Sequence, residues 1–217
     1  NLMSLHFKKL NSNSSQAKKM VILSHGYGAD CSDLLSIGEY LQRFLPDFCF
    51  VAPNAPTPCQ VNPSGFEWFD LMQSSQEKII EEFQFSLKLL DQFINTQLKE
   101  QGLEKKDLYL MGFSQGTMMS LQLALSHKEP IAGVLGYSGK VYDFNFLEKN
   151  FISQCPILLL HGTVDTVIPL EEMYASYEFL KKKSLDIQYK VFENCGHSIT
   201  PEGLSAGLNF LKLKVDL

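Results

Sequence analysis

Short apolar runs alternate with longer amphipathic stretches along almost the whole chain. The first run, Met20 to Ser24 (MVILS), is rich in β-formers and stops at His25-Gly26, so it reads as a buried strand. From Asp33 to Leu45 the apolar residues Leu34, Leu35, Ile37, Leu41, Phe44 and Leu45 recur at helical spacing, and Pro46 marks the stop. Phe48 to Ala52 (FCFVA) is a second strand. Pro53 to Pro63 holds four prolines and is expected to be loop throughout. Ser74-Ser75-Gln76-Glu77 reads as a capping box. It opens a long helix whose apolar stripe includes Ile79, Phe83, Leu87, Leu90, Ile94 and Leu98, closed by Gly102.

The alternation continues downstream. Asp107 to Met111, Ile131 to Tyr137, Ile157 to Leu160 and Ile187 to Phe192 are expected strands. Gln115 to Ser126 and Leu170 to Lys183 are expected helices. A last helix starts with Thr200 as cap and Pro201 in its first turn. Leu2 to Lys9 is expected to add an edge strand. Strand and helix in strict alternation predict a mostly parallel sheet with helices on both faces. The expectation is one α/β domain over residues 1–217, with no repeat and no linker.

Composition narrows the function. A chain of 217 residues, 45% hydrophobic and 20% charged, can bury a large core. The net charge is −5, and no Lys/Arg cluster carries interleaved aromatics, so no nucleic-acid partner is expected. The compact basic run Lys181-Lys182-Lys183 fits the negative end of a helix dipole. No apolar run approaches the roughly 18 residues of a membrane span, so stable membrane insertion is not expected. The five cysteines are odd in number and include no C-x-x-C pair. That pattern argues against a disulfide framework or structural zinc and for a reducing cytoplasm. No metal-ligand spacing, phosphate loop or dinucleotide fingerprint appears, so neither cofactor nor metal is expected.

The chemistry gathers at strand ends. Gly112-Phe113-Ser114-Gln115-Gly116 matches G-x-S-x-G, directly after an expected strand and directly before an expected helix. Such an elbow lifts the Ser114 hydroxyl above the sheet edge, and glycines two residues either side avoid backbone collision. The backbone N–H of Gln115, at a helix start, is placed to bond an oxyanion. A serine needs a base. His6 and His127 are expected at the surface, and His25 and His161 each precede a glycine at a strand end. His197, in the loop between the last strand and last helix, fits the late position that the fold gives its base. Asp165 follows the next-to-last strand and would fix the His197 tautomer, with Asp143 as its rival. The first strand ends in His25-Gly26-Tyr27-Gly28, where the Tyr27 N–H is a candidate second oxyanion donor and His25 is expected to shape the loop.

The pieces HGYGAD (25–30), APNAP (52–56), WFD (68–70), GFSQG (112–116), HGTVDTVIP (161–169) and GHS (196–198) span nearly the whole chain. With them the sequence resembles the phospholipase/carboxylesterase group of α/β-hydrolases, which includes acyl-protein thioesterases and bacterial carboxylesterases. The resemblance implies a Ser114–Asp165–His197 triad, oxyanion donors from Tyr27 and Gln115, and hydrolysis of short-to-medium acyl esters. In some members it implies removal of fatty acyl groups from protein cysteines. It also implies that the Trp68 loop helps line an acyl pocket. Thr117 departs from the smaller residue often found there, and a packing adjustment is expected.

Eighteen residues, Ser138 to Cys155, separate two strands where many α/β-hydrolases insert a lid. They suffice for one short helix around Phe144 to Lys149, so the site is expected to be open and capless. Trp68, Phe69, Leu71 and Met72 are candidate groove residues, with core packing the equal alternative. Two other readings stand beside the esterase. A dienelactone-hydrolase-like enzyme would carry a cysteine nucleophile, and position 114 is serine. A non-catalytic hydrolase-like binding module would ordinarily lack a triad member, and all three are present.

Overall fold

The computed structural model describes residues 4–183 and 186–213. The elements, in chain order, are β1 (Phe7–Leu10), β2 (Lys19–Ser24), α1 (Cys31–Gln42), β3 (Phe48–Pro53), β4 (Thr57–Pro58), β5 (Phe66–Glu67) and α2 (Gln76–Gln101). There follow β6 (Leu108–Phe113), α3 (Gln115–Ser126), β7 (Gly133–Tyr137), α4 (Phe144–Asn150), β8 (Ile157–Gly162), α5 (Leu170–Lys181), β9 (Ile187–Phe192) and α6 (Pro201–Lys212). The seven-stranded sheet runs β1-β3-β2-β6-β7-β8-β9. Every pairing is parallel except β1 with β3.

Strand alternation builds the two-sided core. On β2, Met20 and Ile22 face a cluster that includes Leu90 of α2, Met119 of α3 and Met173 of α5. Val21 and Leu23 face the opposite cluster, with Leu34 of α1 and Leu211 of α6. Burial on both faces is why these strands read as unbroken apolar runs. The chain leaves β2 for β3 on one side and later returns to β6 on the other. That reversal opens a crevice at the carboxyl ends of β2 and β6, where ligands settle in open α/β sheets.

Several boundaries differ from expectation. Pro53 ends β3, and Thr57–Pro58 pairs antiparallel with Phe66–Glu67, so the proline-rich stretch is not wholly loop. Prolines are tolerated there because the ladder is two residues long and lies outside the main sheet. Ser75, not Ser74, caps α2: its hydroxyl accepts from Lys78 N. Lys78 then occupies the third helical position, so the glutamate arm of a capping box is missing. Gly102 closes the helix in the left-handed conformation, φ 67°. α5 stops at Lys181. Lys183 pairs with Glu148 and lies 5.0 and 5.1 Å over the Phe151 and Phe179 rings, fastening the end of α5 to α4 and the segment after it. β1 spans Phe7–Leu10, and Leu2 and Met3 of the expected edge strand lie outside the described residues.

Candidate active site

Ser114 sits between β6 and α3 with φ 57° and ψ −115°. Such backbone costs a non-glycine residue ~1–3 kcal/mol and persists only where its surroundings over-determine it. Here they do. Ser114 N donates to Tyr137 O at 2.9 Å, and Ser114 O accepts from Thr117 N at 3.0 Å. A Cβ on Gly112 would lie 2.4 Å from the Gly116 carbonyl, and one on Gly116 would lie 1.9 Å from Ser24 O. The two glycines therefore let β6, α3 and the end of β2 meet at one point. Thr117 is fully buried, and its hydroxyl donates to Tyr137 O at 2.8 Å. Gly136 and Gly139 leave room for its methyl group: a Cβ on either would fall within 2.8 Å of the threonine side chain.

Asp165 is buried in the loop after β8. Its Oδ2 lies 2.8 Å from His197 Nδ1, while Oδ1 accepts from Val167 N and Ile168 N, both at 2.9 Å. The carboxylate is thus held by its own loop, and the imidazole is held by the carboxylate. A Cβ on Gly162 would lie 2.2 Å from Cys195 O, so only glycine lets the His197 loop close on the end of β8. The Phe113 ring stands 4.8 Å from the His197 ring. Asp143 is turned elsewhere: it caps α4, its carboxylate accepting from Phe146 N at 2.8 Å.

Behind the elbow runs a continuous buried chain of hydrogen bonds. The Gln115 side chain is fully buried. Its Oε1 accepts from Trp68 N at 2.8 Å, and its Nε2 donates to Phe69 O at 2.9 Å. Trp68 Nε1 donates to His25 O at 2.9 Å. His25 Nε2 accepts from Ala55 N at 2.9 Å, which leaves the ring proton on Nδ1, 2.7 Å from Gly26 O. Burial holds the His25 pKa below its ordinary value, so the ring stays neutral. His25 therefore shapes the loop that carries Tyr27.

Ser114, His197, Tyr27 and Gln115 all line one open cleft of about 520 Å³. Phe113, Met118, Leu71, Tyr142, Val167 and Ile168 supply much of its apolar wall, and Lys140 and Asp33 add charge. Of the four expected groove residues, only Leu71 takes part. Trp68 is buried beneath the Tyr27 loop, tied by the bonds just described. Phe69 is buried with its ring against Phe83 at 5.3 Å and Tyr142 at 4.7 Å. Met72 is exposed and outside the lining. Sequence reasoning missed Met118, although its place four residues after Ser114 on α3 puts it on the same helix face. It also missed Tyr142, which no local pattern marks. His127 is not the surface residue expected: its side chain is mostly buried, with Nε2 2.6 Å from Asp91 Oδ1. Among the described residues, no helix is long and apolar enough to cross a membrane.

Sheet order, a strained serine at a strand-to-helix turn and an aspartate-held histidine late in the chain define an α/β-hydrolase. Residues 6–215 match the Phospholipase/Carboxylesterase family model, and the chain belongs to that family. Acyl-protein thioesterase 1 of Eremothecium gossypii is 31% identical, over 92% of this chain and 89% of its own length. Esterase YpfH of Escherichia coli is 24% identical, over 92% of this chain and 84% of its own. The crystal structure of esterase PE8 superposes with a TM-score of 0.92 at 34% identity, covering 97% of this chain and 99% of that one. As a member of this family the chain is a serine hydrolase of carboxylic esters or thioesters.

Proposed function

We propose that residues 1–217 act as a single hydrolase domain in which Ser114 attacks the acyl carbonyl of the substrate. His197 takes the Ser114 proton and returns it to the leaving oxygen or sulfur. Asp165 holds the histidine in the Nδ1–H tautomer and stabilises the imidazolium. The backbone N–H groups of Tyr27 and Gln115 receive the oxyanion, each donor worth about 3 kcal/mol at the transition state. A water, activated by the same histidine, then releases the acid. The observation that carries this reading is the 2.8 Å contact of His197 Nδ1 with Asp165 Oδ2, on the cleft that also receives the strained Ser114.

The substrate is an acyl ester or thioester whose short-to-medium chain lies along Leu71, Met118 and Ile168 while the rest stays outside. The open, capless cleft supports a bulky leaving group, including the cysteine of a lipid-modified protein. The odd cysteine count supports a cytoplasmic site of action. The test is hydrolysis of p-nitrophenyl esters from acetyl to palmitoyl by the parent and by Ser114→Ala. The parent is expected to peak at one chain length, and the variant to lose at least ~10³-fold in rate. A folded parent inactive at every length would favour the binding-module reading. Undiminished turnover in the variant would remove Ser114 as nucleophile.

A further inference from the structure

β9 closes the sheet on the side opposite β1. Ile157 N donates to Asp186 O at 2.9 Å and Thr163 N to Phe192 O at 3.0 Å, so the even-numbered residues turn their carbonyls toward β8 and the loop that follows it. Strand alternation then turns the N–H and C=O of Ile187, Tyr189 and Val191 to the open edge. Gln188, Tyr189 and Lys190 are all exposed, so among the described residues no helix overhangs that edge. An uncovered edge without proline or bulge is a template for another strand. Tyr189 adds an aromatic patch with Tyr177 at 4.8 Å and Tyr174 at 5.4 Å.

The edge is also complementary to itself. In an antiparallel pair about a twofold axis at Gln188, Ile187 faces Tyr189 twice and the two chains exchange four backbone hydrogen bonds. The same register sets Asp186 opposite Lys190 twice. Moving the axis to Ile187 or to Tyr189 sets Asp186 against Gln188 or Phe192 and loses both charge pairs. Both side chains are exposed, and no ion pair among the described residues uses either. Cross-strand opposite charges and aromatic–aliphatic pairs are the contacts that stabilise such a ladder. We propose that two copies of this chain pair antiparallel along β9, Asp186 against Lys190, forming one continuous fourteen-stranded sheet from two seven-stranded ones. An open cavity of about 400 Å³ beside the axis, lined by Tyr177, Lys181, Asp186, Ile187, Gln188 and Tyr189, receives the second copy's Tyr189. The two clefts then point in opposite directions, and each works alone.

Gln188 lies on the axis as a non-hydrogen-bonded pair, where Cα atoms stand about 4.5 Å apart. That is within disulfide reach. Under mild oxidation, Gln188→Cys is expected to run as a disulfide-linked dimer on a non-reducing gel, while the parent and Lys190→Cys, whose positions lie off the axis, do not. In sedimentation, Asp186→Lys is expected to be monomeric, and Asp186→Lys combined with Lys190→Asp is expected to restore the parent's dimer. Ester hydrolysis per chain should stay within twofold throughout, because none of these residues touches the cleft. A parent that sediments as a monomer overturns the proposal. So does equal cross-linking at positions 188 and 190, or a double variant no more dimeric than the single.

Discussion

At the scale of single residues, the side chain of Gln115 is the least obvious part of the site and the most constrained. It ties α3, which starts beside Ser114, to the Trp68–Phe69 segment, and through Trp68 to the carbonyl of His25. Removing it leaves two buried backbone groups without partners, a loss of ~1–3 kcal/mol for each. Gln115→Ala is expected to lower kcat at least tenfold with little change in KM, because the disturbed loop carries the Tyr27 N–H. Unchanged kcat in a folded variant would show that the network only packs. His25 predicts a pH effect. Its folded pKa lies below the free-imidazole value of about 6.5. Above that value both states are neutral and its contribution to stability is whole. As the pH falls below it, the unfolded chain binds a proton that the folded chain refuses, and stability drops. Urea midpoints for the parent should therefore decline from pH 7 to pH 5 more steeply than for His25→Gln. These residues also mark where the sequence stopped being legible. Ser114, Asp165 and His197 could be proposed from sequence because each sits in a loop at a strand end, in the order the fold gives such a triad. The turning of Trp68 and Phe69 into the core depends on a partner 46 or 47 residues away, which no local pattern reveals.

At the scale of elements, legibility followed burial. Strands β2, β3, β6 and β8 are buried along nearly their whole length on both faces, and an apolar run of the right length could mean little else. α3, buried along most of its length, matches its expected limits to the residue; so does β9, which is largely exposed and was legible instead from its alternation of apolar Ile187, Tyr189 and Val191 with polar Gln188 and Lys190. β4 and β5 escaped notice because a two-residue ladder has no periodicity to detect. The α2 cap was displaced by one because adjacent serines are chemically equal, and backbone geometry chose Ser75. The elbow predicts a sharp contrast between two glycines. A Cβ at position 116 meets Ser24 O at 1.9 Å, whereas one at position 196 meets nothing within 4 Å. Gly116→Ala is expected to destabilise by ~1–3 kcal/mol or more, as overpacking does. Gly196→Ala is expected to stay within ~0.5 kcal/mol of the parent, the range of changes that disturb no packed feature. Chemical denaturation of the two variants side by side checks both. Equal stabilities would mean that the elbow has slack the geometry denies.

At the scale of the whole molecule, the fold's contribution is to bring distant pieces of chain to one crevice. Tyr27 follows β2, Ser114 follows β6, Asp165 follows β8 and His197 follows β9, all at carboxyl ends of a parallel sheet. The stretch from Ser138 to Cys155 is only 18 residues long, and it includes α4 (Phe144–Asn150) without forming a cap, which leaves the cleft open. In the proposed reaction the open crevice leaves room for a large leaving group, and its apolar wall takes the acyl chain. The central claim is covalent: an acyl group passes through Ser114. The direct test is to quench the enzyme during turnover of a p-nitrophenyl ester and map the acyl adduct by mass spectrometry. The account predicts the acyl mass on the peptide containing Ser114 in the parent and no adduct in Ser114→Ala. An adduct on another residue, or turnover with no adduct and an unaffected Ser114→Ala, would contradict it.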